Sequence, residues 1–287
     1  MRLFLLFCFI GLSLFAQNGI VAPDAQLTLL ADGFQFTEGP ASDAAGNVYF
    51  TDQPNDRIML WSVDGELSTF MQPSGRANGL CFDDEGHLWA CADAENQLWR
   101  IDMEKNVTIL VDSYHDSLLN GPNDVWVTPD GGAFFTDPYY KRPYWQREQD
   151  KLDVQGVYYL SPDHKTLTRV IDDLLQPNGI IGTPDGKTLY VTDIRAGKTY
   201  SYSISNDKVS DKTLFCEMGS DGMTLDNHGN VYLTGEGVTV FDSTGAKIEH
   251  IAVPEPWTAN FCFGGSNKHT LFLTATTKVY RLKTPVQ

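Results

Sequence analysis

Six residues spread along the chain could do chemistry together: Glu38, Asn78, Asn123, Asn178, Asp221 and Asn260. Each carries a carboxylate or an amide carbonyl oxygen, and each lies at the start of one copy of a recurring unit. The fullest copy is Leu119–Tyr140, LNGPNDVWVTPDGGAFFTDPYY: an Asn-Asp pair, a short apolar strand, a Pro-Asp-Gly-Gly turn, a second apolar strand and a terminal Asp. Two such strands joined by a Gly-rich turn make a β-hairpin. The other copies read EGPASDAAGNVYFTD, NGLCFDDEGHLWACAD, NGIIGTPDGKTLYVTD, DGMTLDNHGNVYLTG and NFCFGGSNKHTLFLTA. In a single copy, an Asn or Asp at this position is explained as the cap of a turn. Six copies converging on one axis would instead place two carboxylates among amide oxygens. That is a hard-cation site, and calcium, with about six to eight oxygen ligands, is its expected occupant. Zinc, magnesium or manganese are the other divalent candidates.

The spacing supplies the axis. From the closing residue of one copy to the next (Asp52, Asp93, Asp137, Asp193, Gly235, Ala275) the steps are 41, 44, 56, 42 and 40 residues. A period of about 40–45 residues with several short strands per unit marks a propeller blade. A second strand pair follows each hairpin, as in IMLWSVDGELSTFMQ and QLWRIDMEKNVTILVD. The expected fold is therefore all-β: a six-bladed β-propeller of four-stranded blades. The segment AQLTLLADGF alternates like one strand and is expected to close the ring beside KVYRLK, leaving no open edge. The first strand of a blade is innermost, so the residue that opens each copy should face the central channel. The closing aspartates repeat too evenly to be chemical; they are expected to accept backbone N–H bonds within the blade.

No Pro/Ser-rich linker, charge block or low-complexity run divides the chain, so residues 17–287 read as one domain. The formal net charge of −16 argues against nucleic acid, whose phosphates need a basic face. The opening MRLFLLFCFIGLSLFA has one Arg, an apolar run too short to span a bilayer, and a terminal Ala. It reads as a signal peptide, residues 1–16, whose removal leaves no membrane segment and a mature chain that is secreted or periplasmic. Cys81, Cys91, Cys216 and Cys262 remain in that chain without metal-type spacing. Cys81 and Cys91 sit on opposite arms of one hairpin and could pair, or all four could be buried thiols.

The step of 56 residues places one large insertion, PYYKRPYWQREQDKLDVQG (Pro138–Gly156), in a loop on the same face as the ring. It carries Tyr139, Tyr140, Tyr144 and Trp145, and reads either as a solvated loop or as a partial lid over a substrate pocket. There is no GxSxG elbow, P-loop or HExxH. The six histidines are scattered, which leaves zinc–histidine or triad chemistry without a basis.

The EGP at Glu38, the LNGPNDV run at Asn120–Val125, the TDP at Thr136–Pro138, the PNGI at Pro177–Ile180 and the SDGM at Ser220–Met223 together resemble one family. It is the senescence-marker-protein/gluconolactonase/luciferin-regenerating-enzyme family of six-bladed propellers, and the likeness runs from about Gly33 to Tyr280. The resemblance implies a divalent metal, usually calcium, held by Glu38, Asn178 and Asp221, with Asn123 either joining it or contacting substrate. It also implies Asp221 as the catalytic acid/base. Asn120, Asn123, Tyr139 and Tyr140 are the candidate substrate contacts. One position departs from the pattern: relatives often carry an Arg where this chain has Leu118, so a polar substrate anchor is expected to be missing and the substrate to be less hydroxylated or held differently.

The activity this implies is hydrolysis of a small-molecule lactone to its hydroxy acid, with a metal polarising the carbonyl and Asp221 taking a proton from the attacking water. Two other readings fit the same sequence: another metal-dependent ester or phosphotriester hydrolase, and a non-catalytic binding propeller. Against the last stand Glu38 and Asp221, two channel-facing carboxylates that a scaffold has no use for. Nothing in the sequence sets the oligomeric state.

Overall fold

A computed structural model describes residues 19–145, 152–206 and 208–286. The signal-peptide segment and part of the insertion loop lie outside them. Strands account for nearly all regular structure, and they form six four-stranded antiparallel sheets. In each, chain order and spatial order agree, apart from one sheet that takes its fourth strand from the start of the chain. Thr28–Ala31 pairs outside Lys278–Lys283, with Thr28 opposite Arg281 and Leu29 opposite Tyr280. The ring thus closes as expected, and the edge of the last blade is covered.

The inner strands are Thr37–Ser42, Ala77–Phe82, Val125–Val127, Pro177–Gly182, Met223–Leu225 and Asn260–Gly264. Turn chemistry explains where each hairpin reverses. Asp43 accepts the Asn47 amide at 2.9 Å, Asp226 accepts that of Asn230 at 2.9 Å, and a glycine with φ near +90° or +80° completes each turn. An aspartate there mimics a backbone acceptor, and glycine takes the left-handed conformation without a Cβ clash.

Each blade buries both faces against its neighbours. Tyr49 of the first blade meets Phe82 of the second edge-on at 5.1 Å, and Tyr232 of the fifth meets Phe263 of the sixth at 5.6 Å. A fully buried Phe contributes about 1.5–3 kcal/mol, so these inter-blade layers hold the ring together. Near the axis, hydroxyls replace apolar contact. The threonines of the recurring Thr-Asp and Thr-Gly pairs are fully enclosed: Thr51 donates to Asn78 O at 3.1 Å, Thr192 to Ser220 O at 2.8 Å and Thr234 to Ala259 O at 2.9 Å. Each of these bonds ties one blade to the next.

The four cysteines are free thiols. Cys81 lies opposite Trp89 in the strand register, two residues from Cys91, so the two pack in one cluster without being cross-strand partners.

Candidate active site

Irregular pairing is what turns the ring residues toward the axis. In the first, second and fourth blades, the inner strand slips register at Glu38–Ala41, Ala77–Leu80 and Pro177–Ile180, so Glu38, Asn78 and Asn178 sit where the ladder is broken. In the third and fifth blades the inner strand begins only after Asn123 and Asp221. The sixth blade pairs without a slip, and Asn260 turns back to accept the Phe261 amide at 2.8 Å. Asn260 therefore stands apart from the other five.

Among those five, Asn178 and Asp221 are joined directly: Asn178 Nδ2 donates to Asp221 Oδ1 at 2.9 Å and to the Tyr140 hydroxyl at 2.8 Å. Trp257 Nε1 donates to Asp221 Oδ2 at 2.7 Å, so both oxygens of this carboxylate are fixed. Glu38, 3 % exposed, is within hydrogen-bonding reach of Asp221. Burial, and then the Asp221 charge, push the Glu38 carboxyl well above its ordinary range. Burial also raises Asp221, but Trp257, Asn178 and the Arg142 charge oppose this. Both carboxyls are thus raised by burial, Glu38 the more strongly, while the bonds from Trp257 and Asn178 favour the charged form of Asp221. The amides of Asn78 and Asn123 are about nine-tenths buried, yet their side chains take no hydrogen bond among the described residues. Their polar atoms are left for a ligand.

Asp124 is a third carboxylate on the axis, and its importance was not foreseen from sequence. The residue after the ring position is glycine in four blades (Gly39, Gly79, Gly179, Gly222) but Asp124 in the third and Phe261 in the sixth. The inner strands come so close there that a Cβ on Gly79 would lie 2.5 Å from Asp124 Oδ1, and one on Gly222 2.1 Å from Asn260 Oδ1. Asp124 fills the neck those glycines leave, accepting the Val125 amide at 3.0 Å and a bond from Asn260. Burial raises its carboxyl to about 7, with the Asp221 charge adding to the effect. The break in an otherwise repeated glycine was the available signal. Trp257, in the run Pro254-Glu255-Pro256-Trp257, has no counterpart in the other copies and gave none.

The first half of the insertion loop is laid over this face. Tyr139 accepts a bond from Gln176 Nε2 at 3.3 Å and donates its amide to Gln155 at 2.8 Å, while Trp145 stacks on Tyr139 at 5.9 Å and rests against Gly121. Tyr140 reaches the ring itself through Asn178, so Tyr140 stands at the pocket and Tyr139 behind it. Residues 146–151 lie outside the described part. Asn120 is placed differently from the substrate contacts: it is fully enclosed, its amide bridging Asp137 O at 3.2 Å and Val154 O at 3.0 Å. It braces the loop.

The closing aspartates split into two kinds. Asp52 accepts the Gln35 and Phe36 amides, Asp137 those of Asn120 and Gly121, and Asp193 those of Leu175 and Gln176. These are blade construction, as expected. Asp93 differs: its Oδ2 accepts from Gln53 at 3.2 Å, from Arg142 Nε at 2.9 Å and from the Tyr144 hydroxyl. Asp56 takes over the backbone part instead, accepting the Ser74 and Arg76 amides.

Could this ring hold a divalent ion? The donors are hard oxygens, two of them on carboxylates whose pKa is raised first by burial, with the Asp221 charge adding to the effect on Glu38; a dication offsets such burial of negative charge. Among the described residues no three His, Cys, Asp or Glu side chains form a metal cluster, so the set depends on the amides of Asn178 and Asn123. The residues fit an oxygen-liganded ion and not a soft one. Further along the inner strands the axis holds a cavity of about 210 Å³, lined by Leu80, Cys81, Asp124, Ile180, Met223 and Phe261. A larger groove of about 550 Å³ opens among the hairpin turns at the opposite end, between Asp83–Glu85, Thr128–Gly131 and Pro184, far from the carboxylate pair. Size alone would have chosen the wrong face.

Comparison with known proteins agrees with the fold. The sequence profile of the SMP-30/Gluconolactonase/LRE-like region matches residues 36–277. A gluconolactonase of Zymomonas mobilis is 28% identical over 303 aligned positions, covering 93% of this chain and 83% of its own. A lactonase of Staphylococcus saprophyticus is 34% identical, covering 83% and 76%. The solved structure of a Xanthomonas campestris gluconolactonase superposes with a TM-score of 0.88 at 30% identity, over 94% of this chain and 93% of that one. The chain belongs to the SMP-30/gluconolactonase/LRE-like family.

Proposed function

We propose that this protein hydrolyses a lactone to its hydroxy acid in a divalent-metal-dependent reaction, at the mouth of the propeller channel. The observation that carries this reading is the Glu38–Asp221 pair: two enclosed carboxylates from different blades, brought within hydrogen-bonding reach beside uncommitted amides. The names of the Zymomonas, Staphylococcus and Xanthomonas relatives support the substrate class.

Glu38, Asn178 and Asp221 would hold the ion, with Asn123 as a further oxygen, and calcium suits this donor set best. Such an ion supplies Lewis acidity toward the lactone carbonyl. The chain's own groups do the rest. Trp257 and Asn178 fix both oxygens of Asp221 and favour its charged form against the effect of burial, and as the carboxylate it takes a proton from the water that attacks the carbonyl carbon. The ring C–O bond then breaks, and the released alkoxide takes from Asp221 the proton that came from water, giving the product hydroxyl and restoring the carboxylate. Burial holds the Tyr140 phenol protonated, which makes it a hydrogen-bond donor over the site. The Asn123 amide orients the substrate, and residues 138–145 limit the access of bulk water.

The test is proton release from δ-gluconolactone and a panel of small lactones, followed by pH-stat after EDTA and again after calcium. Turnover should vanish with chelator and return with calcium. Asp221→Asn should lower kcat by about 10²–10⁴-fold; a variant that keeps full activity and its ion would remove Asp221 from the mechanism. We read residues 1–16 as an export leader, so the working protein is secreted or periplasmic. N-terminal sequencing of the exported chain should begin at Gln17.

A further inference from the structure

Position 118 is expected to have lost a polar anchor, and the structure places Leu118 on the surface at 47 % exposure. A guanidinium is nevertheless present over the ring. Arg142, on the insertion loop, lies with its Cζ 5.3 Å from the Tyr140 ring centre, and the Tyr140 hydroxyl is bonded to Asn178. Its charge is felt by Glu38, Asp221 and Tyr140 alike. Nε is committed to Asp93 at 2.9 Å, whereas the two Nη nitrogens take no hydrogen bond among the described residues. Asp93 is available for this because Asp56 has taken over the backbone contacts of its blade. Three independent features therefore agree: an altered closing aspartate, an inserted loop and an Arg aimed at the pocket.

We propose that Arg142 is the substrate anchor of this protein, its Nη nitrogens donating a pair of hydrogen bonds to adjacent hydroxyls of a sugar lactone. This rests on the lactonase reading above and replaces the expectation of a less hydroxylated substrate. The fixed fork of a guanidinium matches two neighbouring oxygens, which an ammonium cannot do. The neighbouring hydroxyls of a neutral polyhydroxy lactone offer the fork such a pair of oxygens.

Wild type, Arg142→Met and Arg142→Lys should be compared on δ-gluconolactone and on δ-valerolactone, which has the same ring without hydroxyls. For Arg142→Met we expect KM for δ-gluconolactone to rise about 10–100-fold with kcat changed less than about threefold. For δ-valerolactone kcat/KM should stay within about threefold, and Arg142→Lys should restore only part of the loss. Calorimetric titration with D-gluconolactam, a neutral isostere that is not hydrolysed, should show the same weakening of binding. Equal losses on both lactones would reduce Arg142 to a prop for the loop and overturn the proposal. An unchanged KM on δ-gluconolactone would overturn it too, while wild-type turnover left the lactonase reading standing. Wild type that hydrolyses neither compound would sink both. Should Arg142→Met fail to fold, Arg142→Gln carries the same comparison.

Discussion

In the proposed reaction Asp221 is the base, and its neighbours set how readily it ionises. Burial raises its carboxyl, while the indole of Trp257 and the amide of Asn178 each favour the charged form. Trp257→Phe keeps the ring's bulk and deletes one of these bonds. It should lower kcat about tenfold with little change in KM, because the lost bond serves the base and not the substrate. Steady-state kinetics on the best lactone checks this, and a loss confined to KM would assign Trp257 to substrate binding. Asp124 belongs to the same small set of enclosed carboxylates but lies one residue further into the neck, bonded to Asn260.

Strands place these residues and loops cover them, yet the blades are aligned by buried hydroxyls. Thr234 shows this best. Its Oγ1 donates to Ala259 O at 2.9 Å in the next blade and accepts the Gly222 amide at 2.9 Å, one residue from Asp221. Thr234→Val preserves shape and removes the hydroxyl's bonds, while the Gly222 amide and Ala259 O keep their own bond at 2.8 Å. It should cost about 0.5–1.5 kcal/mol in chemical denaturation. Activity should fall as well, since the segment that leads from Asp221 into the inner strand is held through the hydroxyl. The insertion loop is fastened in the same manner, by polar contacts to Asp93, Asn178 and Gln176 and by the fit of Trp145 over Gly121.

At the scale of the whole ring, the enclosed carboxylates link stability to pH. Glu38, Asp221 and Asp124 all have folded-state pKa values above their ordinary ones, Asp124 reaching about 7. The folded protein therefore keeps protons that the unfolded chain releases above about pH 4, and stability is lost as pH rises from there toward 7. Asp83, Asp102 and Glu255 are shifted downward by their hydrogen-bond partners and work in the opposite sense, losing their contribution as pH falls below about 4. In chelator, thermal melts should give a maximum Tm on the acid side of neutrality and a fall toward pH 7. Asp124→Asn should flatten that fall. Added calcium should raise Tm most near neutral pH, where ion and proton no longer compete for the carboxylates. A Tm that rises through this window in EDTA would contradict the burial of the three groups.

Repeat spacing was enough to settle the propeller, its six blades and the closing strand. A period near 42 residues and strict hairpin alternation are local properties, and each blade can bury its apolar faces only against another like itself. The same logic located Glu38, Asn78, Asn123, Asn178 and Asp221 at the channel mouth, because position within a repeat translates directly into position around the axis. It failed where one blade departs from the others. Asn260 looks equivalent in sequence, but its strand has no register slip and its side chain turns back on its own backbone. Asp93 looks like a structural aspartate, but Asp56 releases it to hold the insertion loop. Trp257, Arg142 and Asp124 act through contacts between segments far apart along the chain. Such contacts depend on how closely the inner strands approach and where a loop comes to rest, and only the folded ring fixes those distances.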